Sequence, residues 1–230
     1  MPGCGPNLPG PPMVAVSSPS GAYCIDSTEV TNAQYATFLA TNLATSGQPA
    51  YCAWNTSYTP SSGWPVAMDQ GRSPVAFVDW CDAYAYCRWA GKRLCGKIGG
   101  GPNAPADAAN PEKSQWFNAC TAGGTKAFPY GGAYSATACN GSESGRTAPV
   151  AVGSLVGCQG GVTGAYDMSG NVWEWEDSCS GTTGENDICE ARGGSYISLA
   201  QALRCDHDQN FYRNATMVNG PYLGFRCCAP

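Results

Sequence analysis

Residues 167–176, with the sequence DMSGNVWEWE, place carboxylates next to two indole rings. Glu174 and Glu176 alternate with Trp173 and Trp175, which is the side-chain period of a β-strand. A carboxylate buried among indoles needs a counter-charge or strong hydrogen bonds. Calcium supplies such a charge and takes about six to eight oxygens from carboxylates and backbone carbonyls. The segment therefore predicts either a calcium site or a hydrogen-bonded turn without metal.

His207 is the single histidine of the chain and lies between two aspartates, in the run Asp206-His207-Asp208. A neighbouring carboxylate can raise a histidine pKa and orient its ring, as metal and general-base sites require. An exposed loop histidine among polar residues explains the same run, and we favour that interpretation. With one histidine and no glycine-flanked serine elbow, no Ser-His-Asp triad is predicted.

The 230 residues include 14 cysteines. A high and even count is typical of a disulfide framework formed in an oxidising compartment. No CxxC pair occurs, so the spacing does not support a zinc site. If residues 80–90 are helical, Cys81 and Cys87 need different partners, because six residues of helix rise about 9 Å. Cys227 and Cys228 are adjacent in a predicted strand and should face opposite sides, so each is expected to bond elsewhere.

Charge and composition exclude several classes of protein. Lys and Arg total 12 against 17 Asp and Glu, a net charge of −5 without any basic run, so a nucleic-acid-binding surface has no electrostatic support. No stretch approaches about 18 consecutive apolar residues, so no membrane span is expected. The first three residues carry no apolar signal region, and any export signal is expected to have been trimmed. With 30 Gly and 17 Pro, the chain is predicted to be folded and rich in loops.

The amino-terminal part differs in composition from the rest. Residues 1–22 are rich in proline and small residues, and they predict an extended lead-in held by Cys4. No repeat or linker divides the remainder, so residues 23–230 are expected to form a single domain. From residue 121 onward, short apolar pieces alternate with glycine-rich turns, which is typical of short strands.

Capping residues locate the helices that must position these groups. Thr31, followed three residues later by Gln34, predicts a capping box at the start of a first helix. Asp79 is expected to cap a second helix, which ends at Gly91. Residues 114–120 predict a short third helix. Few regular elements are therefore expected, joined by long loops.

Several motifs follow one another along the chain: EVTNAQY at residues 29–35, SPV at 73–75, DAYAYCRWAGKRL at 82–94, GAYDMSGNVWEW at 164–175, RGGSY at 192–196 and LGFRC at 223–227. In this order they resemble the signature of the formylglycine-generating enzyme (sulfatase-modifying factor) family, from about residue 23 to the end of the chain. The resemblance implies an α+β fold, a single irregular C-type-lectin-like domain with little regular secondary structure. In addition, the cysteine count predicts that this domain is disulfide-rich.

Family enzymes that oxidise a substrate cysteine to formylglycine resemble one another in two thiols that hold copper. The resemblance places them three and eight residues after Ser195 of the RGGSY motif, at Ser198 and Leu203. A hydroxyl and an isobutyl group do not form the two-thiolate site that Cu(I) prefers. Cys205 better resembles a structural half-cystine of the family, and the single His207 argues against an iron site. The resemblance therefore leaves this chain without its family's catalytic residues.

The same resemblance implies calcium. The ligands would be the side chains of Asp167 and Glu174 and the backbone carbonyls of Gly170 and Val172. A second calcium site of the family would lie near residues 140–144, with Asn140 and Gly141 as candidate ligands, in a loop that is shortened here and shows no obvious acidic ligand.

Four disulfides are expected. The resemblance implies Cys87–Cys227 and Cys120–Cys205, and proximity in sequence suggests Cys139–Cys158 and Cys179–Cys189.

Three functional hypotheses follow. The first is a secreted, calcium-stabilised binding or structural module that kept the family's fold and lost its copper site. The alternative is a copper-dependent oxidase that converts a substrate cysteine to formylglycine at an unrecognised site. A further alternative is a ligand-binding protein diversified by a retroelement, since such proteins use this fold with a variable patch framed by motifs like RGGS and GFR.

The segment between Arg192 and Arg226 supplies the candidate ligand-binding residues. Its run DHDQNFYRN, at residues 206–214, has the polar and aromatic composition of adaptable recognition surfaces. An ordinary loop of this composition is the simpler alternative. The expected partner is an extracellular protein, peptide or glycan. The candidates are Asp206, His207, Asp208, Asn210, Tyr212 and Arg213.

Overall fold

The computed structural model describes residues 4–5, 7–216 and 222–230. The strands in this part of the chain are β1 (Met13–Ser18), β2 (Gly21–Asp26), β3 (Arg93–Leu94), β4 (Gln159–Gly160), β5 (Val162–Tyr166), β6 (Trp173–Cys179), β7 (Ile188–Arg192), β8 (Asp208–Tyr212), β9 (Leu223–Phe225) and β10 (Cys227–Ala229). The α-helices are α1 (Asn32–Leu39), α2 (Trp80–Trp89) and α3 (Gln115–Thr121). Short 3-10 helices lie at Thr45–Gly47, Ala50–Cys52, Met68–Gln70, Pro105–Asp107, Ser142–Ser144 and Val156–Cys158. Within these described residues, none of the helices is long and apolar enough to cross a membrane.

Two four-stranded sheets carry the fold. The first has the order β1-β2-β10-β3 and is antiparallel throughout. The second has the order β8-β7-β6-β9 and is antiparallel except for the parallel pair β6 and β9. Strands β4 and β5 form a separate two-stranded sheet. The mixed α+β architecture with little regular structure agrees with the fold class expected from the sequence.

Strand β1 comes from the region that the sequence analysis assigned to an extended lead-in. Its residues pair with β2 along their whole length, from Met13 opposite Asp26 to Ser18 opposite Gly21. Further upstream, Cys4 is bonded to Cys24. The domain therefore begins before residue 23, because this extended segment supplies an edge strand of the first sheet.

Side-chain caps explain where the helices begin. The Thr31 hydroxyl accepts the backbone N–H of Gln34, and the Gln34 side chain accepts that of Thr31, so the predicted capping box is confirmed. Asp79 and Asp82 form the same reciprocal pair at the start of α2. Helix α3 begins after Ser114, whose hydroxyl caps it.

Apolar side chains form two buried clusters. The larger lies around α1 and α2, where the rings of Tyr35 and Tyr86 stack with centroids 5.6 Å apart. Phe225 of β9 meets Tyr86 edge-on at 5.3 Å, which joins the second sheet to this cluster. The smaller cluster lies between the first sheet and α3, around Trp116.

All 14 cysteines are paired in seven disulfides. The four pairs expected from the sequence are present: Cys87–Cys227, Cys120–Cys205, Cys139–Cys158 and Cys179–Cys189. The others are Cys4–Cys24, Cys52–Cys81 and Cys95–Cys228. In β10, Cys227 belongs to the larger core cluster and Cys228 to the smaller, as strand alternation predicts.

Candidate functional site

Ser198 and Leu203 occupy the two positions where the resemblance places copper-binding thiols. The Ser198 hydroxyl accepts the backbone N–H of Ser195 at 2.9 Å, which closes the turn after the RGGSY motif. Leu203 is 2% exposed and packs against Gly141, where a Cβ atom would overlap its side chain. Both positions therefore serve local structure.

No cysteine is free to replace these thiols. Each of the 14 is held in a disulfide, and Cys205, the nearest in sequence, is bonded to Cys120. Cu(I) prefers soft thiolate ligands. The donor set in this region does not fit copper, and no oxidation step follows from it.

Glu174, fully buried in β6, is paired with Arg226. The Nε and Nη2 atoms of Arg226 donate to the two carboxylate oxygens of Glu174, each at 2.6 Å. The indole N–H of Trp116 also donates to Glu174, at 2.7 Å. The parallel register of β6 and β9 sets Glu174 opposite Gly224, so the chain reaches Arg226 two residues later. The counter-charge expected for this carboxylate is supplied by a guanidinium.

Two further buried carboxyl groups lie beside Glu174. Asp167 accepts the backbone N–H of Gly153 at 2.5 Å, and Glu29 accepts the side-chain amide of Asn171 at 3.0 Å. Burial raises the pKa of Asp167 to about 6. Burial, and then the charges of Asp167 and Glu174, raise the pKa of Glu29 well above its usual range. We call Glu29, Asp167 and Glu174 the carboxyl cluster; its three acids share one guanidinium.

One atom of this cluster lacks a donor. Glu29 Oε2 is buried without a hydrogen-bond partner in the described part of the chain, and Glu29 is close enough to Asp167 for their charges to interact. Two carboxyl groups can hydrogen bond to each other only when one holds a proton. A proton or a metal cation between them would satisfy both. The sequence analysis missed Glu29 because it is far from the 167–176 segment in sequence.

The calcium ligands expected from the sequence lie on one turn. Asp167 and Glu174 are close enough for their charges to interact, and Gly170 and Val172 lie on the segment between them. Gly170 has φ +77°, and a Cβ there would overlap the carbonyl oxygen of Asn140, so only glycine fits. The charge of the carboxyl cluster suits a divalent cation, although Glu174 already accepts three hydrogen bonds.

A metal cage made of side chains alone is not present in the described residues. They contain no group of three or more His, Cys, Asp and Glu side chains arranged to hold a metal ion. The expected calcium set uses two carboxylates and two backbone carbonyls, so it does not require such a group.

Asn140 and Gly141, the candidates for a second calcium site, take part in loop structure. The Asn140 amide donates to the carbonyl of Ala148 and to the side chain of Asn171, both at 3.1 Å, and accepts the Ser144 hydroxyl at 3.2 Å. Its backbone oxygen accepts the N–H of Asn171 at 2.8 Å. These partners are neutral, so the hydrogen bonds around Asn140 bring no negative charge to this loop.

A second buried ion network lies further along β6 and β7. Arg192 Nε donates to Glu176 at 2.9 Å, and the Ser114 hydroxyl donates to the other Glu176 oxygen at 3.1 Å. Glu190 lies 3.8 Å from Arg192 Nη2, and burial raises the Glu190 pKa to about 7. Of these residues only Arg192 lies in one of the family motifs, and it is the β6–β7 register, with Arg192 opposite Glu174, that brings the network together.

Strand β8 contains residues 208–212 of the run for which the sequence analysis gave an ordinary loop as the simpler alternative. Strand alternation sets Asp208, Asn210 and Tyr212 on one side, where all three are exposed and Tyr212 reaches 56%. On the other side, Phe211 packs edge-on against Trp175 with ring centroids 5.9 Å apart. The loop interpretation was wrong because this aromatic anchor and pairing with β7 hold the segment extended. We call the side bearing Asp208, Asn210 and Tyr212 the β8 face.

The residues just before β8 lie at the surface. Asp206 forms an exposed ion pair with Arg204 at 2.7 Å. The His207 ring lies 6.0 Å from that of Trp173, and among the described residues no metal cluster includes it.

The Arg213 side chain is buried, whereas the sequence analysis expected it to be an accessible ligand-binding residue. It is 1% exposed, its guanidinium lies 4.4 Å from the Trp80 ring and 4.6 Å from the Tyr51 ring, and it bonds Asp187 at 3.0 Å. The expectation of a surface residue was wrong because this side chain turns inward, where aromatic faces and a carboxylate compensate its charge.

Comparison with known proteins agrees with the motifs. The family model described as sulfatase-modifying factor enzyme 1-like domain matches residues 11–229. The formylglycine-generating enzyme of Mus musculus is 29% identical over 194 residues, covering 70% of this chain and 45% of that protein. The inactive C-alpha-formylglycine-generating enzyme 2 of Mus musculus is 29% identical over 195 residues, covering 76% and 54%. The chain therefore spans about half the length of these curated relatives.

A solved structure gives the same result for the fold. PvdO from Pseudomonas aeruginosa superposes with a TM-score of 0.60 at 21% identity, over 91% of this chain and 80% of that one. At this identity the likeness concerns the fold alone. The family model matches nearly the whole length of the chain, which shows that the chain belongs to the family of sulfatase-modifying factor enzyme 1-like domains.

Proposed function

We propose that this chain is a non-catalytic, disulfide-stabilised binding module of its family. The observation that carries the proposal is the loss of both thiols: Ser198 closes a turn, Leu203 is buried, and all cysteines are in disulfides. An oxidation that depends on two thiolates holding copper has no donors here. One relative is itself named an inactive formylglycine-generating enzyme, which supports a fold kept without the activity.

Secretion into an oxidising compartment is part of the proposal. Seven disulfides in 230 residues support it, because cytosolic thiol systems keep such bonds reduced.

Recognition is proposed to use the β8 face. Asp208, Asn210 and Tyr212 stand side by side on an edge strand and are free of core packing, which suits contact with an extracellular protein, peptide or glycan. The loop that would carry the catalytic thiols instead exposes Ile197 and Leu199, at 50% and 66%.

Calcium bound at the turn between Asp167 and Glu174 completes the proposal. The support is electrostatic: the carboxyl cluster has three acids and one guanidinium, and Glu29 Oε2 is short of a partner within the described residues. A divalent cation there would supply positive charge and hold the turn.

The absence of oxidase activity can be tested directly. The purified protein is incubated with Cu(I) and a cysteine-containing sulfatase-type peptide, with an active family enzyme as positive control. We expect no aldehyde by hydrazide labelling, no stoichiometric copper after desalting, and no free thiol in denaturant. Aldehyde formation by this chain would contradict the proposal.

The binding face is tested by substitution. Wild type and the triple variant Asp208→Ala, Asn210→Ala, Tyr212→Ala are screened on glycan and peptide arrays. We expect wild-type binding that the triple variant loses while its melting temperature is kept. Equal binding by both proteins would refute the β8 face as the binding surface.

The calcium part is tested by thermal unfolding with EGTA and with millimolar calcium. Free calcium at about 100 times its Kd stabilises by about 2.7 kcal/mol, which is roughly 5–10 °C for a domain of this size. Asp167→Asn should abolish the shift, whereas Asp69→Asn, at an exposed position, should keep it. Equal melting temperatures of wild type in EGTA and in calcium would refute this part.

A further inference from the structure

A pocket of about 460 Å³ lies between α2, β3 and the chain that follows β6. It is lined by none of the residues of the β8 face and by none of the carboxyl cluster. Its volume falls within the range of small-molecule sites, about 300–1,000 Å³. The residues that matter for its chemistry are Tyr51, Tyr84, Arg88, Arg93, Asp177 and Arg213.

The lining of this pocket is basic in an acidic chain. Four of the 12 Lys and Arg residues line it, against one of the 17 Asp and Glu residues. Lys92 is neutralised by Asp26 at 2.6 Å and Arg213 by Asp187 at 3.0 Å. The charged residues that remain are Arg88, Arg93 and Asp177, so the lining has a surplus of positive charge.

Among the residues that line this pocket, Arg93 has the most buried nitrogen atoms without a hydrogen-bond partner in the described part of the chain. Its Nη1 donates to the Gln115 amide oxygen at 2.5 Å, whereas its Nε and Nη2 are buried without a partner among the described residues. Burial lowers the pKa of Arg93, and attraction to Asp177 offsets this only in part. A guanidinium in this state is stabilised by an oxyanion, whose paired oxygens match its forked donors.

Arg213 is a second guanidinium in the lining of which some N–H groups have hydrogen-bond partners and others do not. Its Nη1 is buried and has no hydrogen-bond partner in the described ranges, while its Nη2 bonds Asp187 and the Gly181 carbonyl. Trp80 and Tyr51 hold its plane at 4.4 and 4.6 Å from their ring centroids. The position of this cation is thus set by the fold before any ligand arrives.

The lining of the pocket also offers phenol hydroxyls and ring surface. The rings of Tyr51 and Tyr84 meet edge-on with centroids 6.4 Å apart, and Arg88 Nη1 donates to the Tyr84 hydroxyl at 3.2 Å. Arg88 is exposed, so its charge lies at the mouth of the pocket. Hydroxyls beside aromatic carbon suit a hydroxylated ring.

We propose that this pocket binds a small ring-sized solute carrying an oxyanion, such as a sugar bearing a sulfate, phosphate or carboxylate group. The oxyanion would lie near Arg93 and Arg88, and the ring against Tyr51 and Tyr84. Asp177 is the unfavourable neighbour, because its charge opposes the anion.

Isothermal titration calorimetry at low salt tests this proposal on the intact protein. The probes are glucosamine 6-sulfate, glucose 6-phosphate and glucuronate, with glucose as the neutral control. We expect saturable binding of at least one charged sugar, at least about tenfold tighter than glucose, and weakened by added salt. Comparison of the three charged sugars identifies which oxyanion the pocket prefers. No saturable binding of any charged probe, or equal binding of glucose, would overturn the proposal.

Variants then locate the site. Arg88→Gln, which removes an exposed charge with little effect on packing, should weaken binding about two- to fivefold. Asp177→Asn should tighten it, a gain that damage to the fold would not produce. Arg72→Gln removes the same charge from an exposed position outside the pocket and should leave affinity unchanged. Equal weakening by Arg88→Gln and Arg72→Gln, or weaker binding by Asp177→Asn, would overturn the assignment to this pocket.

Discussion

Replacing Arg226 by methionine should show how far the carboxyl cluster depends on its guanidinium. The variant loses two charge-assisted hydrogen bonds to Glu174 and the bonds that Arg226 donates to the carbonyls of Asp26 and Tyr166, at 3.1 and 2.8 Å. Methionine fills much of the space but carries no charge. Three buried carboxyl groups would then remain without their cation.

The expected loss of stability follows from the free energy needed to protonate a carboxyl group that has lost its cation. Breaking a buried ion pair from one side costs about 3–5 kcal/mol. Protonating a glutamate of ordinary pKa, about 4.3, costs about 4 kcal/mol at pH 7 but only about 1 kcal/mol at pH 5. In the folded variant, one carboxyl group of the cluster holds a proton, whereas in the unfolded chain the same group loses its proton above its usual pKa. The stability of the variant therefore falls as pH rises. The loss caused by R226M should therefore be about 3 kcal/mol smaller at pH 5 than at pH 7.

Urea unfolding monitored by tryptophan fluorescence, at both pH values and in EGTA, measures this difference. Arg204→Met is the matched control, because Arg204 pairs with Asp206 at 2.7 Å on the surface and should cost less than about 1 kcal/mol at either pH. A loss for R226M that is the same at pH 5 and pH 7, or no larger than that for R204M, would refute the electrostatic account of the cluster.

Three other substitutions probe the backbone, the disulfides and the inward arginine. Gly170→Ala should destabilise by several kcal/mol in thermal unfolding and well beyond Gly145→Ala, which has nearly the same φ, +76° against +77°, but open space around it and should cost about 1–2 kcal/mol; similar losses would contradict the proposed overlap. Replacing both Cys87 and Cys227 by alanine opens a crosslink between residues 140 apart and should cost up to about 5 kcal/mol in urea unfolding, and an unchanged midpoint would contradict this. Arg213→Met should cost about 3 kcal/mol by the same assay, because it leaves Asp187 without its cation, and a loss under about 0.5 kcal/mol would show that the side chain is not buried in solution.

The parts of the fold that the sequence predicted are those governed by local chemistry or by a motif. Thr31 and Asp79 cap their helices through neighbours three residues away, so the pattern is visible in a short window. The pairing of Cys87 with Cys227 is not local, and it was reached because both residues lie in motifs that resemble the family.

The parts that were missed depend on contacts between distant segments. Glu29 joins the carboxyl cluster only because the chain around it folds against the 167–176 turn. The composition of residues 208–212 suggests a loop, and it is Phe211 packing on Trp175 that makes them a strand. Arg213 is polar and follows that strand, yet the aromatic rings of Tyr51 and Trp80 draw it inward. No window of sequence around these residues contains their partners.

The two adjacent cysteines of β10 also constrain the order in which this domain can be completed. Cys227 bonds to α2 and Cys228 to the residue after β3, while β10 itself lies between β2 and β3 in the first sheet. During synthesis on the ribosome, more than 130 residues emerge between either partner and this strand. Until residues 227–229 have left the exit tunnel, the amino-terminal sheet lacks an inner strand, and Cys87 and Cys95 lack their native partners. Any earlier pairing of these two sulfurs must be undone by thiol–disulfide exchange before the native bonds form, so oxidative folding of this domain is expected to depend on disulfide isomerisation.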